Sequence, residues 1–217
     1  MIMARTERGR ALTRQLVLEA ALELMDREGP EGFNMRKLGA ALGVEAMSLY
    51  NHIKNKEDLL DGVIEMLLLQ APYPQRPDIT PYVELWDFAH AYRDVLRAHP
   101  RIISLVALRQ LRTEPSLAIL ERLVAALHRA NVKGVRALYA VNSFAGFIIG
   151  HAFFDITSIS VPMASHEDDV VEVWERLPAR RYPALHASLP AFKQWDADQE
   201  FDFGLRVLLQ GILLPDE

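Results

Sequence analysis

The sequence predicts an all-α protein: an N-terminal domain of three helices that contains a helix-turn-helix, and a larger helical C-terminal domain. Three observations carry that prediction. Apolar residues recur at helical spacing through most of the chain, and strand-like alternation persists nowhere. Residues 34–56, NMRKLGAALGVEAMSLYNHIKNK, read as two short helices about a turn centred on Gly43, running into a further helix. Late in the chain, ALYAVNSFAGFIIGHAFF and the stretch after Asp198 are apolar nearly all round, as helices buried between partners are.

The first helix spans Thr13 to Glu28: Leu16, Val17, Ala20, Ala21, Leu24 and Met25 form its stripe, and Gly29-Pro30 ends it. Asn34 is the next N-cap, its side-chain oxygen able to accept from free first-turn amides. Leu38, Ala41 and Leu42 then give one apolar stripe, and Gly43 stands where a helix end needs a left-handed residue. A second short helix runs from Ala46 to about Ile53, with Leu49 and Ile53 turned to the core. Asn55 caps a fourth, reaching Leu69, with Glu57 and Asp58 favourable in its first turn. Residues 71–81 hold four prolines and mark the domain boundary. Residues 1–56 form the first domain, the helix over 55–70 links it, and residues 71–217 form the second.

Beyond the boundary, Thr80-Pro81 is an N-cap and N1 pair for a helix that stops near His99-Pro100. A short helix covers Ile102 to Leu108, and Pro115 opens another with Leu117, Leu120, Leu123, Val124 and Leu127 facing inward. A long helix follows from Asn131 to about Phe154. Residues 158–169 and 177–196 read as irregular, with Trp174 on a short helix between them. The last helix, Asp198 to Leu214, carries Phe201, Phe203, Leu205, Leu208, Leu209 and Ile212.

Two short helices at a steep angle form a unit whose second helix enters the DNA major groove, so double-stranded DNA is the expected partner. The reading face presents Ala46, Met47, Ser48, Asn51 and His52, with Tyr50 near its edge. Asn pairs with adenine, Ser donates or accepts, and Ala or Met touches a thymine methyl. Tyr50, His52, Lys54 and Lys56 suit phosphates, which position a protein without carrying sequence information. Arg36 and Lys37, at the start of the preceding helix, can reach the backbone or a groove-edge guanine. Plainer roles stay open for two of these: core packing for Tyr50 and a solvated imidazole for His52.

The net charge of −5 is unevenly spread: nine Lys/Arg face seven Asp/Glu in residues 1–56, and 15 face 22 in the remainder. A mildly basic head on an acidic body suits a DNA-contacting module carried by another domain. The absence of cysteine excludes disulfides, thiolate metal sites and cysteine catalysis, and fits a cytoplasmic protein. No run of about 18 uncharged apolar residues occurs, so no membrane span is expected. Arg5, Arg8 and Arg10 precede no hydrophobic segment, so no secretory signal is expected either. The seven histidines, His52, His90, His99, His128, His151, His166 and His186, lack HExxH spacing. GxSxG, GxxxxGK[ST] and the dinucleotide glycine fingerprint are also missing, so an enzyme is not expected, nor a metal or cofactor.

The apolar helices near 131–154 and 198–214 are more than one small helical domain buries alone. A homodimer resolves this, with two helices from each chain forming a four-helix interface. It also supplies two reading helices roughly 34–36 Å apart, the spacing that reads a palindrome.

Residues 32–61, GFNMRKLGAALGVEAMSLYNHIKNKEDLLD, strongly resemble the DNA-binding domain of the tetracycline repressor family. The resemblance lies in GF before the cap, RKLGAALGV, SLYNHIKNK and the LLD that follows. It places Ser48, Tyr50, His52 and Lys56 on positions that contact DNA, and Arg36 on one that reads or clamps it. Ala46, Met47 and Asn51 depart from the family pattern, so the operator should differ from that of the tetracycline repressor. ALYAVNSFAGFIIGHAFFD and FDFGLRVLLQGI resemble the two dimer helices of that repressor's C-terminal domain. The resemblance thus implies a ligand-binding and dimerisation domain, an effector pocket in each subunit, and repression relieved when ligand binds.

A magnesium–tetracycline chelate would need an imidazole near the metal and a carboxylate to hold its waters. Where the family places its metal-binding histidine, this chain reads Leu105-Val106-Ala107-Leu108. Where tetracycline-binding members carry a carboxylate late in the long helix, it has Phe154, followed by Asp155. Both changes remove polarity, so the expected effector is small, largely apolar and held without metal. Its expected pocket comprises Phe88, Tyr92, Leu108, Leu111, Phe147 and Trp174, with Asn142 and His151 as orienting groups. Two alternatives stay open: a tetracycline-responsive resistance regulator, and a small-molecule-binding helical protein without DNA function.

Overall fold

The structure, a computed structural model, describes residues 11–74, 76, 78–160, 172–192 and 194–214. Every regular element among them is a helix: α1 Arg14–Glu28, α2 Met35–Leu42, α3 Ala46–Leu49, α4 Lys56–Gln70, α5 Pro81–Ala98, α6 Ile103–Leu108, α7 Glu114–Arg129, α8 Gly134–Ser160, α9 Pro183–Phe192 and α10 Ala197–Leu213, with residues 172–176, around Trp174, helical as well. A 3-10 turn over Pro100–Ile102 precedes α6. The boundaries follow from local chemistry. Thr13, Asn34, Asn55, Thr80 and Thr113 each accept a first-turn amide with a side-chain oxygen. Pro81 occupies the first turn of α5, where its missing N–H costs nothing.

α4 joins the two halves of the molecule. It packs against α1 on one side and against α5 and α7 on the other. For that reason Leu59, Leu60, Gly62, Val63, Ile64, Leu67 and Leu68 are all buried. The crossing with α1 is close: a Cβ on Gly62 would sit 2.8 Å from Leu18 Cδ2. One apolar cluster therefore runs unbroken from Val17 in α1 to Leu209 in α10.

In the body, α5 and α8 pack along each other, and α6, α7 and α10 surround them. α8 buries Ala137, Ala140, Phe144, Ile148 and Ala152, and α10 buries Phe201, Leu205 and Leu209. Their other faces are open, exposing Val135, Leu138, Tyr139, Phe153 and Phe154 on α8 and Phe203 and Val207 on α10. By length and composition, Gly134–Asp155 is apolar enough to cross a membrane, with a mean hydropathy of 1.4. Its buried stripe instead packs inside a helical bundle and ends on a charged tie. Arg93 of α5 donates from Nε and Nη2 to Asp155 at 2.8 and 3.0 Å. Their side chains are only 3% and 6% exposed. Arg93 also reaches Asp198 at 2.9 Å and stacks 4.3 Å from the Phe201 ring centroid. Burial opposes the Arg93 charge, but the bonds from Asp155 and the nearby Asp198 outweigh it and raise its pKa.

Several expectations are corrected. α8 continues to Ser160 instead of stopping near Phe154. The stretch 177–196 is not irregular throughout, since α9 forms within it despite Pro190. Residues 161–171, most of the other stretch expected to be irregular, lie outside the described residues. Ala41 is exposed because α2 turns Leu38 and Gly39 inward. Leu117 is exposed because α7 rests on Ser116, Ile119, Leu123, Ala126 and Leu127.

Breaking a buried ion pair by removing one partner costs about 3–5 kcal/mol when the other charge is left without compensation. Asp155→Ala leaves Arg93 with Asp198 and is expected to lose about 3 kcal/mol at most in denaturant unfolding; a loss below about 1 kcal/mol would show that the pair is not dry.

Candidate nucleic-acid interface

The helix-turn-helix is built from short-range bonds. Asn34 Oδ1 accepts from the Lys37 amide at 3.0 Å and starts α2. Gly43, at φ 69° and ψ 27°, ends it in the left-handed region. The Val44 amide then donates back to the Gly39 carbonyl at 2.9 Å. Gly39 admits the close approach of α3, because a Cβ there would lie 2.8 Å from the Val44 oxygen and 3.1 Å from the Ala46 nitrogen. α3 is one turn long, not the two turns expected up to Ile53. After Leu49 the amides of Tyr50, Asn51 and His52 bond three residues back, and this tightening brings Ile53 into the core.

Leu49 anchors this segment and is wholly buried. Around it, Met47 is 73% exposed, and Tyr50, Asn51, Lys54 and Lys56 are exposed as well. Ala46, Ser48 and His52 are half-buried, and Arg36 is exposed on the adjoining turn of α2. The predicted interface residues are thus all at least partly accessible to solvent. Two are also engaged within the fold. Lys37 Nζ meets Glu28 at 2.6 Å and donates to the Gly32 carbonyl at 2.7 Å, and Lys56 lies 5.8 Å over the Phe33 ring.

The sequence did not reveal the residues that hold this surface in place. Arg14 donates to both oxygens of Asp58, at 2.8 and 3.0 Å, tying the start of α1 to the start of α4. Asp58 Oδ2 also accepts from the Lys54 amide at 2.8 Å. Asp58 therefore clamps the loop that follows the reading segment. Arg14 holds its carboxyl below the usual carboxylate range against the opposing effect of burial, with the Lys54 amide adding to the lowering. Arg14 and Asp58 are 44 residues apart, and no local pattern announces such a pairing.

The body grips the same head at both ends of α6. Arg109, just past its end, donates to Asp61 at 2.7 Å and lies 2.7 Å from Glu57, both on α4. His99, before its start, lies 2.7 Å from Asp26 of α1 and 3.4 Å from Gln70 of α4. Arg101 also donates to the Arg27 carbonyl.

The predicted effector residues fall into a buried cluster, a half-buried one and a remainder. Phe88 and Tyr92 stack at 5.9 Å, with Tyr73 and Phe144 against Phe88. Burial pushes the Tyr92 hydroxyl pKa up. Phe147 and His151 have ring centroids 4.4 Å apart, and both pack on Phe201. Leu111 and Trp174 are half-buried. Leu108 and Asn142 lie outside both clusters. Leu108 is 85% exposed because Ile103 and Val106 take the inward face of α6. Asn142 lies off the buried stripe of α8 and is exposed. Three surface clefts, of about 410, 810 and 540 Å³, are lined by other residues.

Comparison with known proteins matches these two halves separately. Residues 17–63 match the bacterial regulatory proteins of the tetR family, and residues 74–214 match the tetracyclin repressor-like C-terminal domain. An HTH-type transcriptional regulator of Saccharopolyspora erythraea is 31% identical, over 93% of this chain and 84% of its own length. The chain belongs to the TetR family. Another relative, the class A tetracycline repressor from transposon 1721 of Escherichia coli, is 28% identical, covering 90% of this chain and 88% of that protein. The fold matches Streptomyces coelicolor ActR in complex with actinorhodin, with a TM-score of 0.84 at 22% identity over 94% and 98% of the two chains. As a TetR-family transcriptional regulator, the protein carries its helix-turn-helix in α2 and α3.

The Asp58 clamp makes head stability depend on acid. A carboxyl whose folded pKa is depressed contributes stability above its unfolded value of about 4, and loses it as pH falls through the lower folded value. Asp58→Asn is therefore expected to melt below the parent at pH 7, with the gap closing under acidification past about pH 4. A gap independent of pH would contradict the clamp.

Proposed function

We propose that this TetR-family regulator is a homodimeric repressor that reads a palindromic operator and leaves it when a small, largely apolar effector binds. Residues 1–56 are its DNA-binding domain, α4 its link, and residues 71–217 its effector and dimerisation domain. The observation that carries the reading is the Gly43 turn between α2 and α3. Beyond it, with Leu49 buried, Met47, Tyr50, Asn51, Lys54 and Lys56 are exposed and Ser48 and His52 half-buried, and Arg36 is exposed on α2, which supports a common reading surface. In this reading Ala46, Met47, Ser48 and Asn51 meet base edges, while Arg36, Tyr50, His52, Lys54 and Lys56 meet phosphates. Lys37 steadies the α1–α2 corner through Glu28.

The open faces of α8 and α10 support the dimer. A Cβ added to Gly146, Gly150 or Gly211 on these helices would meet nothing within 4 Å, leaving room for a partner helix to approach. A stable interface buries roughly 1,200–2,000 Å² in all, and these two helices supply the apolar surface for it. The aromatic clusters of Phe88 and Tyr92, and of Phe147 and His151, support an apolar effector. The complex of ActR with actinorhodin supports small-molecule control on this fold. A ligand that binds better to a splayed dimer shifts the population away from operator spacing. α6, tied to the head at both ends, passes that shift to α4.

Fluorescence anisotropy on duplexes from the regulator's own promoter region tests this. Tyr50→Ala is expected to weaken operator binding, and Lys56→Ala to weaken it on every sequence and lower the salt slope by about 1. Equal affinity of the parent for promoter and random duplex at physiological salt would overturn the reading. Arg109→Gln frees one end of α6 and is expected to weaken operator binding about tenfold while the dimer stays intact in ultracentrifugation. Unchanged operator affinity in that variant would remove α6 from the coupling.

A further inference from the structure

Beyond the aromatic clusters, a cleft of about 410 Å³ opens between α7 and the linker that joins α4 to α5. Its polar lining is Arg76, Arg122, Arg129 and Glu84, and its apolar lining is Pro74, Ile79 and Ala125. Glu84 is buried and already satisfied. Tyr73 donates to one of its oxygens at 2.7 Å, and Arg129 occupies the other. Arg76 meets Asp87 at 2.7 Å on the rim.

Arg122 is different. Its guanidinium lies 3.8 Å over the Tyr73 ring and gives one N–H to the Pro74 carbonyl at 3.1 Å. Among the described residues it has no carboxylate partner, although it is half-buried. A guanidinium offers five N–H donors in a planar fork, so an edge remains for a bidentate acceptor. The three arginines face two carboxylates, which leaves one positive charge unmatched at a cleft of ligand size.

We propose that this cleft binds an organic acid: its carboxylate on Arg122 between Arg76 and Arg129, and its small apolar body against Pro74, Ile79 and Ala125. The site adjoins the Phe88 cluster through Tyr73, but neither Phe88, Tyr92, Phe147 nor His151 lines it. Because its wall is the linker that leaves the end of α4, occupancy fixes the chain where the link helix ends.

Benzoate, titrated calorimetrically into the full-length protein at constant ionic strength, is the probe, with inorganic phosphate in a parallel arm. Saturable benzoate binding is expected, weaker by about tenfold or more in Arg122→Gln, as the loss of a charge-assisted bidentate bond requires. Phosphate, which cannot use the apolar wall, is expected to bind more weakly than benzoate. Ala125→Phe fills the cleft while keeping all three arginines and is expected to abolish benzoate binding as well, which guards against an unfolded Arg122 variant. No saturable benzoate binding to the parent, affinity unchanged from the parent in either variant, or phosphate binding as tightly as benzoate would overturn the proposal. Arg122→Gln should leave operator affinity without ligand unchanged, so failure here is distinguishable from failure of the DNA reading.

Discussion

The two-sided burial of α4 is the constraint on which the rest of the molecule depends. Leu59, Val63 and Leu67 are wholly buried because α1 covers one side of the helix and α5 and α7 the other. Interiors packed at crystal-like density do not deform smoothly. A shift of the body against α4 must therefore be passed to the head rather than absorbed in a soft joint. The polar ties add direction to this. Arg109 on Asp61 and Glu57, and His99 on Asp26, fix where along α4 and α1 the push arrives. Partly exposed pairs of this kind add little stability, but they set orientation.

The charged tie deeper in the body works on another axis. Arg93, Asp155 and Asp198 bind α5, α8 and α10 at one level. Taking these charges out of water is unfavourable, and a well-packed apolar replacement is often no less stable. What the tie does fix is the rotation of α8 on α5. That rotation decides which face of α8 meets the core and which, with Leu138 and Tyr139, is turned to solvent.

How much the sequence disclosed varied with the range of the interaction. The head was legible nearly residue by residue, because Asn34, Gly43 and Asn55 act on amides within five residues of themselves. The length of α3 was not, since it is set by Ile53 reaching the core, a tertiary demand that overrides the local pattern. In the body, helix existence was clear but facing was not. Leu108, Leu117 and Asn142 were expected inside on apolar spacing or polarity alone, and packing turned them out. Asp155 read as a near miss for a ligand carboxylate. Its partner Arg93 lies 62 residues away, and a single sequence carries no mark of such a pair.

The reading segment is one helical turn held by Leu49, and Met47 and Asn51 at its surface touch little of the fold. Exchanging side chains that stand in solvent changes stability by no more than about 0.5 kcal/mol. Under the proposed function, the address this protein recognises is thus nearly independent of its ability to fold. A lineage built on this scaffold would then drift to new operators through Met47 and Asn51 while Gly39, Leu49 and Asp58 stay as they are. Specificity would be a free variable mounted on a fixed frame.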